Sequence, residues 1–244
     1  MDTSVLQTYD GVMKRLIVAN WKMNGSYQLI QEFQSIKNSS GTKVIVCPPS
    51  CYLPLFTNPS VILGAQNCHL SGEGPLTGEV SPAQLKEVGC KYVIVGHSER
   101  RNLFHETSSL INKKASQAIR HGLIPIICIG ETHIERQENR FKHVLLSHID
   151  QSFRNLDAKK YIVAYEPIWS IGTGLSPTNN DIQDVLEIIR ERLGRSTTII
   201  YGGSVTDKNA SSLAKIPNLN GVLVGGASLN ITTFQTIIDA FQGD

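Results

Sequence analysis

Eight short apolar runs recur along this chain, and they constrain its fold more than any other feature. They are Leu16–Asn20, Lys43–Cys47, Val61–Ala65, Tyr92–Gly96, Ile124–Ile129, Tyr161–Tyr165, Thr198–Gly202 and Gly221–Val224. Most are near-continuously apolar rather than alternating, the pattern of parallel strands covered on both faces. Amphipathic segments lie between them. Thr107–His121 follows an acidic stretch and stops at Gly122, a C′ glycine. Asn179–Leu193 carries Ile182, Val185, Leu186, Ile189 and Leu193 on one stripe and stops at Gly194. Ile231–Gln242 closes the chain. Eight strands alternating with helices in 244 residues favour a single α/β domain, a closed (β/α)8 barrel. A doubly wound open sheet is the competing arrangement. It would place a Gly-rich dinucleotide turn after the first strand, where Asn20-Trp21-Lys22 stands instead.

Composition bounds the function. Apolar residues make up 41% of the chain, enough for a sizeable core. Lys and Arg number 23 against 21 Asp and Glu, so no strong field points to nucleic acid or a membrane surface. The five cysteines (Cys47, Cys51, Cys68, Cys90, Cys128) are odd in number and form no Cys-x-x-Cys pair. That argues against a disulfide framework or a zinc site and suits a reducing compartment. No apolar run approaches membrane-spanning length, and the N-terminus lacks the pattern of a secretory signal. Residues 1–13 are mostly polar with little periodicity. They read as a loose extension, a tag or an upstream start, with Met13 as an alternative start and the barrel domain running over 14–244.

The polar residues that interrupt this pattern fall at the C-terminal ends of strands, the functional face of a barrel. Glu166 ends the sixth strand and opens Glu-Pro-Ile-Trp-Ser-Ile-Gly-Thr-Gly. A carboxylate there suits proton abstraction. Pro167 stiffens the start of the following loop, and Gly172 and Gly174 free its far end. Trp169 and Ile171 make its tip apolar, as in a lid that closes over a ligand. A buried connecting loop with an incidental Glu is the plainer reading, and loops seldom bury. Asn20 and Lys22 follow the first strand, and Lys22 offers a positive charge to an anion. An isolated Lys is often an ordinary surface residue. His97 follows the fourth strand, where Ser98-Glu99-Arg100-Arg101 starts a short helix whose N-terminus disfavours imidazolium. A lone His is more often structural, but three candidates on one rim change those odds. Gly202-Gly203 and Gly225-Gly226 follow the last two strands, where barrels often hold phosphate with bare backbone N–H groups. Together these residues point to proton transfer on a small phosphorylated carbonyl compound.

Six segments then carry a family resemblance. They are Asn20-Trp21-Lys22-Met23-Asn24-Gly25, Val95-Gly96-His97-Ser98-Glu99-Arg100-Arg101, Ala164-Tyr165-Glu166-Pro167-Ile168-Trp169, Ile171-Gly172-Thr173-Gly174, Tyr201-Gly202-Gly203-Ser204-Val205 and Leu223-Val224-Gly225-Gly226-Ala227-Ser228-Leu229. The chain resembles triosephosphate isomerase from Lys14 to its C-terminus. The resemblance implies a TIM barrel that interconverts dihydroxyacetone phosphate and D-glyceraldehyde 3-phosphate in glycolysis and gluconeogenesis, with no cofactor and no metal. It implies Glu166 as the base and neutral His97 as the group that polarises the carbonyl, the family's own division of roles. Lys22 and Asn20 would stabilise the enediolate and position substrate, with Glu99 near the Lys. Backbone N–H groups of Gly172, Ser204, Gly225 and Gly226 would hold the phosphate. The lid would comprise Pro167, Ile168, Trp169, Ser170, Ile171, Gly172, Thr173 and Gly174, extending to Pro177. A cytoplasmic homodimer is implied, with Thr77 reaching a neighbour's site.

Some positions depart from the family pattern. Ser170 stands where the lid usually has Ala. Pro75-Leu76 replaces the usual Ala-aromatic pair in the Gly72–Glu79 loop. The segments Asn24–Pro48 and Gly174–Thr198 are short. Two rival functions stay open at this point. A Schiff-base aldolase on the same barrel needs a reactive Lys where Glu166 stands. A catalytically dead relative would have lost an acid, base or lid residue, and none is missing.

Overall fold

The computed structural model describes residues 15–36, 41–57, 61–173 and 175–242. Its strands are β1 (Arg15–Asn20), β2 (Thr42–Cys47), β3 (Ile62–Ala65), β4 (Tyr92–Val95), β5 (Ile124–Ile129), β6 (Ile162–Tyr165), β7 (Ile199–Tyr201) and β8 (Gly221–Val224). All pair in parallel, each with the next in sequence. β8 returns to β1, with Leu16 opposite Gly221 and Val18 opposite Leu223, so the sheet closes into a barrel. Helices fill the crossovers: α1 (Tyr27–Phe33), α2 (Pro82–Glu87), α3 (Ser98–Leu103), α4 (Ser108–Arg120), α5 (His133–Gln137), α6 (Phe141–Ser152), α7 (Asn179–Leu193), α8 (Asp207–Ala214) and α9 (Ile231–Ala240).

Closure explains the continuous apolar runs. Alternate residues of each strand face opposite ways. Leu16, Val18, Ile45, Ile94, Ile126 and Ile200 pack inside the barrel. Their neighbours Ile17, Ala19, Val44, Val46 and Val93 pack outwards against the helices. A strand buried on both sides has no polar face to show.

Local signals set the helix ends. Thr178 caps α7 in a reciprocal box with Asp181, and Gly194 ends it at φ +102°. Thr107 caps α4, and Gly122 just beyond it sits at φ +74°. The predicted Asn179–Leu193 helix is found with those bounds. Elsewhere the bounds move by a residue or two. Val61, Gly96, Tyr161, Thr198 and Gly202 lie outside the ladder, and α9 stops at Ala240, two residues short of the expected Gln242. Residues 1–13 and Gly174 lie outside the described residues.

Candidate active site

The strand ends bring the expected side chains to one rim. Asn20, the last residue of β1, is buried, and its Oδ1 accepts the backbone N–H of Lys22 at 3.1 Å. With Oδ1 so engaged, the Asn20 side chain presents its NH2 as donor. Lys22 has φ +53°, a left-handed conformation that costs a non-glycine residue about 1–3 kcal/mol. Gln66, just beyond β3, supports it by donating to the Lys22 carbonyl at 2.8 Å. The Lys22 ammonium lies 2.6 Å from Glu99 Oε1.

His97 caps the first turn of α3, and the turn before it needs Gly96 at φ +70°. A side chain at Gly96 would press a Cβ to 2.6 Å from Ile111 Cδ1. Arg101 ties the segment down, donating to Gly96 O at 3.0 Å and Cys128 O at 2.9 Å. The backbone N–H of Glu99 donates to His97 Nδ1 at 3.2 Å. Nδ1 is therefore the acceptor, and the neutral ring carries its proton on Nε2.

That nitrogen lies 3.2 Å from Glu166 Oε1. Glu166 is 1% exposed. Its Oε2 accepts the Ser98 N–H at 3.0 Å, whereas Oε1 has no hydrogen-bond partner among the described residues. One buried oxygen each of Glu106 and Glu131 is likewise unpartnered among the described residues, so what sets Glu166 apart is the histidine it faces across the site. Gly202 makes room for the carboxylate, since a Cβ there would meet Glu166 Cγ at 2.9 Å. Behind the site, burial first and then the Glu166 charge push the Cys128 thiol well above its ordinary value, so it stays protonated.

A cavity of about 250 Å³ joins these groups. Asn20, Lys22, His97, Glu166, Gly172, Ser204, Gly225 and Gly226 all line it. All eight residues expected at the site thus share one cavity. Thr77 does not. It is exposed on the Gly72–Glu79 loop. A second groove, about 920 Å³, opens beside Asn20, Lys22 and His97 and is lined also by Met23, Leu103 and Phe104.

The first half of the expected lid is a short 3-10 turn, Ile168–Ser170, entered from Pro167. Trp169 is half-buried rather than exposed, and its indole N–H donates to Glu131 Oε1 at 3.0 Å. The same oxygen accepts the Tyr165 hydroxyl at 3.1 Å. Glu131 is fully buried, and burial raises its carboxyl above the usual range. Glu131 and Gln66 escaped the sequence reading. Each stands one or two residues past a strand end, the same signal that located Glu166 and His97.

Among known proteins, the family model described as Triosephosphate isomerase matches residues 15–241. A curated triosephosphate isomerase of Wolbachia sp. subsp. Brugia malayi is 44% identical over 236 residues, covering 94% of this chain and 99% of its own. That of Ehrlichia chaffeensis is 42% identical over 234 residues, covering 93% and 96%. The crystal structure of triosephosphate isomerase from Bartonella henselae matches with a TM-score of 0.86 and 35% identity, covering 94% of this chain and all of that one.

Proposed function

The chain belongs to the triosephosphate isomerase family and interconverts dihydroxyacetone phosphate and D-glyceraldehyde 3-phosphate, a step of glycolysis and gluconeogenesis, and we propose that Glu166 is the base that carries the proton. The observation that supports this most is a buried carboxylate whose Oε1 lies 3.2 Å from the His97 Nε2, both residues lining one cavity with Gly172, Ser204, Gly225 and Gly226.

In this reading the phosphate sits on the N–H groups of Gly172, Ser204, Gly225 and Gly226. Preorganised amides bind an anion without reorganising. Glu166 gives up the Ser98 amide and removes a proton from the carbon beside the carbonyl. The electron pair moves onto the carbonyl oxygen, giving an enediolate. His97 Nε2–H, the Asn20 NH2 and the Lys22 ammonium face that growing negative charge. Glu166 then returns the proton to the neighbouring carbon, and His97 moves protons between the two oxygens. The Lys22–Glu99 pair fixes the ammonium in place, a charge role rather than that of a Schiff-base nucleophile.

The same reading takes the enzyme as a cytoplasmic homodimer. Five free cysteines, four of them buried, fit a reducing compartment. Among the described residues no helix is long and apolar enough to cross a membrane. A coupled isomerase assay tests the assignment together with His97→Gln. Loss of a hydrogen bond that strengthens as charge develops lowers kcat far more than it raises KM. An unchanged kcat removes His97 from the chemistry.

A further inference from the structure

Ser170 occupies a lid position where the family pattern has Ala, and its hydroxyl has a defined task. The residue ends the Ile168–Ser170 turn and is fully buried. Its Oγ accepts the backbone N–H of Ser204 at 3.3 Å. The Tyr201 phenol, itself 1% exposed, converges on the same hydroxyl beside Gly203. Gly203 allows this convergence: a Cβ on it would crowd Tyr201 Oη and come within 2.6 Å of Ser170 Oγ. A lid turn is thus fastened to the β7 loop through the one backbone donor of Ser204.

We propose that Ser170 Oγ and the substrate phosphate compete for the Ser204 N–H, so that binding the phosphate unfastens the first turn of the lid. The proposal rests on the reading of Ser204 as a phosphate donor. One N–H makes one well-aligned hydrogen bond. A phosphate oxygen, being charged, is the stronger acceptor and displaces a neutral hydroxyl. A contact made only in the state without phosphate lowers the apparent affinity for it. Ser170 is in this sense a positioning residue that couples phosphate capture to lid release. An alanine there leaves the Ser204 amide uncontested.

The test uses inorganic phosphate as a competitive inhibitor of the isomerase, together with titration of the Ser204 amide by NMR. In Ser170→Ala the inhibition constant for phosphate and the KM both fall, by about two- to tenfold for one net hydrogen bond. Tyr201→Phe removes the phenol oxygen that converges on the hydroxyl and shifts both in the same direction by less. A hydroxyl that merely packs would not tighten binding when removed. Phosphate shifts the Ser204 amide in both proteins. If phosphate leaves that amide unmoved in both, the phosphate assignment fails and the competition with it. If the amide responds but the inhibition constant is unchanged or higher in Ser170→Ala, the phosphate assignment stands and the competition is wrong.

Discussion

The backbone N–H of Ser98 holds Glu166 by one carboxylate oxygen at 3.0 Å, while the other oxygen lies 3.2 Å from His97 Nε2 and has no hydrogen-bond partner among the described residues. The base is thus tethered from the start of α3, the helix that also carries His97 at its N-cap. One short turn orients both members of the proton-transferring pair, so the distance between them depends on few rotatable bonds.

This arrangement makes reach the limiting quantity. Glu166→Asp withdraws the carboxylate by about one bond length, and a misplacement of about 1 Å costs on the order of 10²-fold in rate. We expect kcat to fall by at least that factor while circular dichroism and the unfolding midpoint stay close to those of the parent. Near-parental kcat in the Asp variant would remove Glu166 from the role of base.

The barrel and its rim were legible in the sequence for a physical reason. Strands buried on both faces leave unbroken apolar runs, and residues such as Glu166 and His97 interrupt them where the chain turns outwards. The tethering contacts were not legible. Glu131 gains its meaning from Tyr165 Oη and Trp169 Nε1, and Gln66 from the Lys22 carbonyl, partners 34 to 44 residues away. Nothing in local pattern encodes a hydrogen bond across the barrel. The positive φ of Lys22 was equally hidden, because sequence favours left-handed geometry visibly only at Gly or Asn.

The indole of Trp169 sits between His133 and the buried Glu131, with ring centroids 6.2 Å apart for the aromatic pair. If this turn moves as a lid, the Trp169–Glu131 bond breaks and the polarity around the ring changes. The other tryptophan, Trp21, is fully buried against Phe33 and Phe56, so Trp21→Phe isolates the lid signal. A phosphate-bearing transition-state analogue is expected to shift Trp169 fluorescence and to slow proteolysis between Pro167 and Pro177. Binding of the analogue with neither effect would show that this turn does not move.

His148 gives the protein a pH-dependent term. Burial, reinforced by nearby Arg101 and opposed by Glu135, lowers its pKa from 6.5 to about 4. Between those values the unfolded chain binds the extra proton and the folded protein does not, so stability rises with pH. The contribution is full above 6.5 and is lost as pH falls towards about 4. Glu131, whose carboxyl is raised by burial, acts in the opposite sense as pH climbs above the ordinary carboxylate range. The comparison must therefore be between proteins, not between pH values alone. Urea unfolding of the parent and of His148→Gln at pH 7 and pH 4.5 is expected to differ in pH response by on the order of 1–2 kcal/mol. Parallel responses would mean that His148 protonates in the folded protein as easily as in the unfolded one.

The large groove beside the active site carries the last prediction. Met23 is 95% exposed, Leu103 70% and Phe104 62%, and all three line it together with Asn20 and Lys22. Apolar side chains gathered this way on one face mark an association surface. In the proposed homodimer the Gly72–Glu79 loop of a second copy, with Leu76 and Thr77 both exposed, would fill it. A twofold pair satisfies both surfaces at once, each copy giving a loop and receiving one. Burying a Phe side chain contributes about 1.5–3 kcal/mol, so a single charge at its place offsets much of the association energy. We expect the parent to sediment as a homodimer and Phe104→Glu to sediment as a monomer at the same concentration. Because Asn20 and Lys22 form part of the groove wall, activity should fall with the dimer fraction on dilution, not remain constant per chain. A monomeric parent with full specific activity would separate this groove from both assembly and catalysis.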